Sequence, residues 1–339
     1  MYPGMKNRGF APLAQLVGRL VMPCTLLWRA FPMLFLLVSL LAMGCGRRRD
    51  PIVKDCKVHY AVATMPTPIL NTPDFPRVFG GRDGASLELD DVGLCRAVEV
   101  VALPGATFEI DGEAMVEGRK ICRVKTPQYP YEREGGYFVD RAFLRLVKGR
   151  PTPRPRKLPH RTFIRYKLKS AIGKVYLWGG NWAEGIPEMM EFYPPSAPIC
   201  GMERLAWLFR GVDCSGLLYE ATNAWTPRNA SSLIHFGKGL PIAGKSPEEI
   251  LEDVKALDIL GWSSHVMIFL SNEEIIQSRV DYDYAKEGNQ GGVRIQKALP
   301  YLRSLMEDYA AVNDYDDELP EGFSKKFVIR RWYEGEGTL

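Results

Sequence analysis

Hydrophobic and polar positions divide this 339-residue chain into stretches of different period. Ala30 to Gly44 is apolar and uncharged, with Lys6, Arg8, Arg19 and Arg29 ahead of it. Such a run is shorter than the roughly 17–25 residues of a membrane-spanning helix, so residues 1–44 are expected to be an export signal removed after Gly44. Residues 45–56 then form a tether. From 57 to 148 short β-rich runs alternate with Gly, Pro and Asp: Tyr60–Thr64, Ala97–Leu103, Thr107–Ile110, Lys120–Lys125 and Gly136–Val139. This spacing predicts a small all-β barrel, with Leu103-Pro104-Gly105 as a turn. Four prolines between Gly149 and Pro159 mark an extended linker, residues 149–162.

Helical and strand periods mix in the remainder, residues 163–335, which predicts an α+β domain. Phe163 to Ile172 is expected to be a helix. Cys214 to Trp225 is a clearer one, because Leu217, Leu218, Ala221, Ala224 and Trp225 recur at helical spacing, Asp213 can cap the start and Pro227 stops it. His265–Leu270 and Glu274–Ser278 form a hairpin and Phe327–Trp332 a later strand. The acidic run Asp314 to Glu318 is expected to be a solvated loop.

With 46% hydrophobic and 25% charged residues the chain can bury real cores, which excludes a wholly disordered protein. The net charge of +4 owes much to Arg47–Arg49 and to the stretch from Lys148 to Arg165, so no uniform basic face and no nucleic-acid partner are implied. Ala42-Met43-Gly44-Cys45 resembles the lipobox of bacterial lipoproteins, which implies that Cys45 carries a lipid and anchors the protein to a membrane of the cell envelope. Met22 is an alternative start, and an uncleaved membrane anchor is the alternative reading. Removing Cys24 and acylating Cys45 leaves five of the seven cysteines, an odd number that predicts a thiol kept free. Cys95 and Cys122 either pair or stay buried and unpaired.

A thiol attacks an amide as thiolate, which needs something to favour the anion and a base nearby. Cys214 falls in the first turn of a helix, where unpaired N–H groups and the dipole favour negative charge. Of the four histidines, His59, His160 and His235 lie in or beside the barrel, linker and a loop, while His265 heads a strong strand. No run such as His-Glu-x-x-His offers metal-ligand spacing, and no metal or organic cofactor is expected.

Tyr176-Leu177-Trp178-Gly179-Gly180, Gly211-Val212-Asp213-Cys214-Ser215-Gly216, Pro227-Arg228 and Ser264-His265-Val266 follow the order found in the NlpC family of papain-like cysteine peptidases. Gly136 to Leu144 resembles the closing strand of bacterial SH3-like domains, a common partner of that family. The resemblance implies a papain-like peptidase domain behind an SH3-like barrel, with Cys214 as an accessible nucleophile, His265 as general base and Gln277 as the third polar residue, where a His is frequent. A Gln amide oxygen can orient an imidazole without supplying charge. It also implies that Tyr176, Asp213 and Ser215 line the cleft and hold a free L-Ala amine, Asp213 using one oxygen for the cap and keeping the other available. Ser231 is a further substrate contact. Trp178 is assigned to the core, and Gly179 and Gly180 to a tight turn beside the site.

A hairpin loop of Asn272 to Glu274 would set Gln277 opposite Phe269 and on the face of His265, whereas a two-residue loop would turn it away. The implied activity is cleavage of γ-D-glutamyl-diamino acid bonds in peptidoglycan peptides. A D,D-endopeptidase acting on cross-linked wall and a non-catalytic wall-binding lipoprotein are the alternatives. The sequence leaves the oligomeric state open.

Overall fold

The computed structural model describes residues 51–81, 83–280 and 291–334. The expected signal, Cys24, Cys45 and the first half of the tether lie outside these residues. Among the described residues no helix is long and apolar enough to cross a membrane.

Strands β1 (Lys54–Ala63), β2 (Thr67–Leu70), β3 (Val98–Ala102), β4 (Thr107–Val116), β5 (Arg119–Lys125), β6 (Tyr137–Asp140) and β7 (Leu144–Val147) form one sheet in the order β3-β2-β6-β5-β4-β1-β7. All its pairings are antiparallel. The period-2 pattern explains which face is inside: Phe108, Ile110, Ala114 and Val116 of β4 are buried, while Glu109, Asp111, Glu113 and Met115 alternate with them toward solvent. β3 and β7 stand at the two ends of the hydrogen-bonded order, so the closed ladder of a barrel is not formed among the described residues. Cys95 and Cys122 are unpaired, and burial pushes both thiols up to about 12.

The second sheet has ten short strands: β8 (Val175–Tyr176), β9 (Asn181–Trp182), β10 (Gly211–Val212), β11 (Lys238–Gly239), β12 (Ile259–Trp262), β13 (His265–Phe269), β14 (Glu274–Arg279), β15 (Gly292–Lys297), β16 (Ala310–Ala311) and β17 (Lys326–Arg331). Helices α1 (Arg161–Ser170), α2 (Gly201–Trp207), α3 (Cys214–Ala221), α4 (Pro247–Asp253) and α5 (Ala298–Asp308) accompany it. One core joins α1 and α3 through Ile164, Leu168, Leu217 and Leu218 to Val266, Ile268 and Ile276 of the sheet. A second core joins α4 and α5 through Ile250, Leu302 and Leu305 to Met267, Phe269 and Ile275. Alternate residues of β13 and β14 thus serve opposite cores, as the pleat requires.

Helix α3 ends at Ala221, four residues before the expected Trp225, because Asn223 and Ala224 take left-handed φ of 55° and 64°. The hairpin loop is Ser271–Glu273, one residue earlier than expected: the Leu270 N–H donates to Glu274 O, and Phe269 pairs with Ile275. Continuing that register sets Gln277 opposite Met267 instead of Phe269. A shift of one in both flanking positions preserves parity, so Gln277 keeps the face of His265.

The two sheets belong to one compact unit. Residues between β9 and β10 explain why. Ile186, Met189, Tyr193, Trp207 and Phe209 pack into the core of the first sheet, where Phe79 meets Tyr193 and Phe209 at ring-centroid distances of 5.1 and 5.7 Å. Asn181 adds a polar stitch. Fully buried, its side-chain amide accepts from Val101 N–H at 2.9 Å and donates to Val101 O at 2.8 Å, so it occupies one residue of the end strand β3 as a neighbouring strand would. The linker is also held, with Arg154 donating to Pro104 O at 3.2 Å and to Asn223.

Candidate active site

A cleft of about 920 Å³ brings together Tyr176, Asp213, Cys214, Ser215, Ser231 and His265. Gln277 stands behind it, fully buried. Cys45 lies outside the described residues.

The nucleophile side is built on the start of α3. Asp213 caps the helix, its Oδ1 accepting from Gly216 N–H at 2.6 Å and from Ser215 Oγ at 3.1 Å. Its second oxygen is not left available, contrary to expectation. The Arg228 Nη2 donates to Oδ2 at 2.6 Å and Nη1 to Oδ1 at 3.0 Å, a bidentate pair in which both residues are buried. Arg228 also donates to Ser215 Oγ at 2.9 Å and to Asn181 Oδ1 at 3.3 Å. The same network therefore reaches from the helix cap to the stitch on β3. Sequence reasoning noted the Pro227-Arg228 pair but gave the Arg no role.

Cys214 differs from the expected accessible thiol, being 6% exposed and part of the core on which α3 packs. Burial pushes it up to about 12, aided by the Asp213 charge, while Val266 and Ser215 N–H groups pull the other way. Desolvation outweighs the helix N-terminus here. The Val266 contact follows from sheet geometry. β13 and β14 pair at Ile268–Ile276 and Phe269–Ile275, and Val266, nearer the start of β13, shares the core of α3 with Cys214.

The base side is built on neutral amides. His265 Nε2 and Gln277 Oε1 are 2.7 Å apart, and Gln277 Nε2 donates to Gln296 Oε1 on β15. Because the Gln277 amide N–H₂ is spent on Gln296, its oxygen faces the ring. Nε2 then carries the hydrogen, and Nδ1 is left with the lone pair a base needs. Burial presses the imidazole down to about 4; the Gln277 bond opposes that, and the Arg279 charge adds to it. No hydrogen bond joins Cys214 to His265 among the described residues. Burial thus favours the uncharged form of both the thiol and the imidazole.

No protein-family model matches the sequence, and no curated protein matches it. The chain aligns with the peptidoglycan hydrolase RipB from Mycobacterium tuberculosis at 16% identity and a TM-score of 0.28, covering 51% of this chain and 65% of that one. An NlpC/P60 family protein from Bacillus cereus aligns at 13% identity and TM-score 0.30, over 80% of this chain and 63% of the other. An NlpC/P60 endopeptidase from Photobacterium damselae subsp. piscicida aligns at 10% identity and TM-score 0.40, over 73% and 68%. The chain thus spans less than two thirds of the length of the first two.

The cleft has two further walls that sequence reasoning missed. At one end stand Glu99 of β3 and Tyr129 of the loop between β5 and β6. Glu99 accepts from Asn71 Nδ2 at 2.7 Å and from Tyr129 OH at 2.9 Å, with the Arg133 guanidinium 3.5 Å away. Trp178 belongs to this rim and not to the core: it is 39% exposed, and Arg96 stacks on it at 3.9 Å. The close approach of Val98 explains the turn beside it, since Gly179 has φ +71° and a Cβ there would lie 2.7 Å from Val98 O. At the other end Tyr301 and Tyr309, from α5 and the residue after it, line the cleft together with Arg279 and Lys325.

Among the described residues one group with metal-ligating side chains is found elsewhere, His235, Asp314 and Asp316, whose ligand atoms lie within 4.8 Å of one another. Arg330 already pairs with Asp314 at 2.7 Å, and none of the three lines the cleft.

Proposed function

We propose that this chain is a cysteine peptidase that hydrolyses bacterial cell-wall peptides at the γ-D-glutamyl-diamino acid bond, working from an exported, lipid-anchored position at the cell envelope. The observation that carries the catalytic part is the fixed imidazole: Gln277 holds Nε2–H of His265, which leaves Nδ1 as base in the cleft that Cys214 lines. The lipid anchor at Cys45 rests on the lipobox-like Ala42-Met43-Gly44-Cys45, and the choice of bond rests on the ordered motifs around Tyr176, Cys214 and His265.

With both groups neutral at rest, attack is general-base catalysed. As the Cys214 sulfur closes on the carbonyl carbon, its proton passes to His265 Nδ1 and the Gln277 amide oxygen supports the imidazolium through Nε2–H. The carbonyl oxygen becomes an oxyanion beside the Cys214 and Ser215 N–H groups at the start of α3, the Gly216 N–H being held by the Asp213 cap. The imidazolium then protonates the leaving nitrogen as the C–N bond breaks. Water, losing a proton to His265, releases the acyl group from sulfur.

The acyl half carries the free amine. Buried Arg228 binds both oxygens of Asp213 at 2.6 and 3.0 Å, whereas Arg133 stands 3.5 Å from Glu99, so Glu99 is the carboxylate better placed for that amine, with Ser215 and Tyr176 alongside. Incubating the mature protein with free tripeptide, tetrapeptide and cross-linked muropeptides tests the reading. We expect L-Ala-γ-D-Glu and the diamino acid from the tripeptide, identified by mass. Products from cross-linked wall alone would favour a D,D-endopeptidase, and no products a non-catalytic wall-binding lipoprotein.

A further inference from the structure

We propose that the far end of the cleft, between β14 and α5, binds a carboxylate on the departing amino acid through Arg279 and Lys325. This rests on the peptidase reading above and adds a specificity to it: the enzyme prefers substrates whose leaving half ends in a free acid over those in which it is amidated.

The cleft is polar in sign as well as in shape. Its first end is close to balanced, with Glu99 facing Arg133 at 3.5 Å, Asp213 paired with Arg228, and Arg96 paired with Asp90 at 2.7 Å. Its far end holds two cations, Arg279 and Lys325, against one carboxylate, Asp308. The two cations arrive from separate elements, Arg279 from the end of β14 and Lys325 from the residue before β17, and both are exposed. Among the described residues neither makes an ion pair; Lys325 Nζ sits over the Tyr309 ring at 5.2 Å.

Arg279 is two residues beyond Gln277, so the strand sets it on the same face as the His265–Gln277 pair and one step further out. Its charge is felt at both His265 and Tyr301, and Arg294 on β15 adds to the same field. The first end takes an amine and the nucleophile lies between, so the half of the substrate that leaves must extend toward α5. A carboxylate placed there would meet the Arg279 guanidinium, with the Lys325 charge further along the same wall adding to the attraction. It would also offset the positive field that disfavours imidazolium at His265, at the step where that imidazolium must form.

The test uses the Cys214→Ala protein, which binds without turning over, and calorimetry with L-Ala-γ-D-Glu-L-Lys as the free acid and as its C-terminal carboxamide. The free acid is expected to bind at least about tenfold more tightly, the scale of a charge-assisted hydrogen bond. In a Cys214→Ala protein also carrying Arg279→Gln and Lys325→Gln, the two affinities should converge to within about twofold, with the carboxamide little changed and the thermal midpoint unmoved. A ratio near one in the parent, or a ratio that survives the double substitution, overturns the proposal and leaves the peptidase reading standing. Failure to bind either peptide rejects both.

Discussion

The two sides of the cleft are held by different forces. Around Cys214 a buried bidentate ion pair, Arg228 with Asp213, ties helix cap, turn and first sheet into one network. Around His265 a chain of neutral amides, Gln277 and Gln296, fixes a ring without placing a charge on it. The ionic side is expensive to break because a lone buried charge would remain. The amide side can be altered at lower cost to the fold, and a change there is felt mainly in the chemistry.

The contrast is broken most strongly at Arg228. Arg228→Met should destabilise the protein by about 3–5 kcal/mol, since it strands the Asp213 carboxylate at the helix start. A urea denaturation series measures this, and a loss under about 1 kcal/mol would show the ion pair to be incidental. For the same reason Asp213→Asn is a poor probe of amine recognition, because it leaves Arg228 buried with a weakened partner.

On the amide side, Gln277→Ala should lower kcat by roughly 10- to 100-fold, the equivalent of one or two hydrogen bonds, with KM nearly constant and a smaller stability loss than at Arg228. Steady-state kinetics beside a melting curve separates the two regions. A KM effect with kcat unchanged would place Gln277 in binding and not in orienting the ring.

Glu99 sharpens the comparison from outside both networks. Wild-type protein should cleave tripeptide with a free L-Ala amine at least about tenfold more efficiently than its N-acetyl form, and Glu99→Gln should erase most of that ratio. If the ratio persists in the variant, the amine is held elsewhere.

The smallest effect is in stability against pH. The folded His265 is pressed to about 4, below the 6.5 of an unperturbed imidazole. Between those values the unfolded chain binds a proton that the folded one does not, so His265 contributes stability fully above pH 6.5 that is lost as the pH falls toward 4. Partial solvent access reduces this to on the order of 1 kcal/mol. Denaturation midpoints of wild type and His265→Gln at pH 7 and 4.5 report it: wild type should lose more. Equal losses would mean that the ring is not desolvated.

What could be read from the chain were the features with local causes. β-rich runs marked β4 and β13, helical spacing marked α3, and Asp213 before Cys214 marked a cap, each read from residues close together in the chain. The resemblance named Gln277, and a three-residue loop, although it falls one residue earlier than expected, keeps it on the face of His265 where a two-residue loop would not. Features set by distant packing stayed hidden. Arg228 reaches Asp213 from beyond the end of α3, Glu99 comes from the other sheet, and Gln296 lies on the next strand. Trp178 looked like core by its chemistry, yet the Arg96 that covers it is eighty-two positions earlier in the chain. Burial of Cys214 likewise depends on β13, which no helical pattern reports.

The claim at the centre is that Cys214 is the nucleophile, and hydrolysis of free tripeptide by wild type and Cys214→Ala, with products identified by mass, tests it most directly. Removing a buried sulfur that touches Val266 should cost the fold little more than one lost methylene-sized contact, so circular dichroism and a melting curve should confirm a folded variant. The account predicts a fall in turnover of roughly 10⁴-fold or more in that folded protein. Turnover within a few-fold of wild type would contradict it.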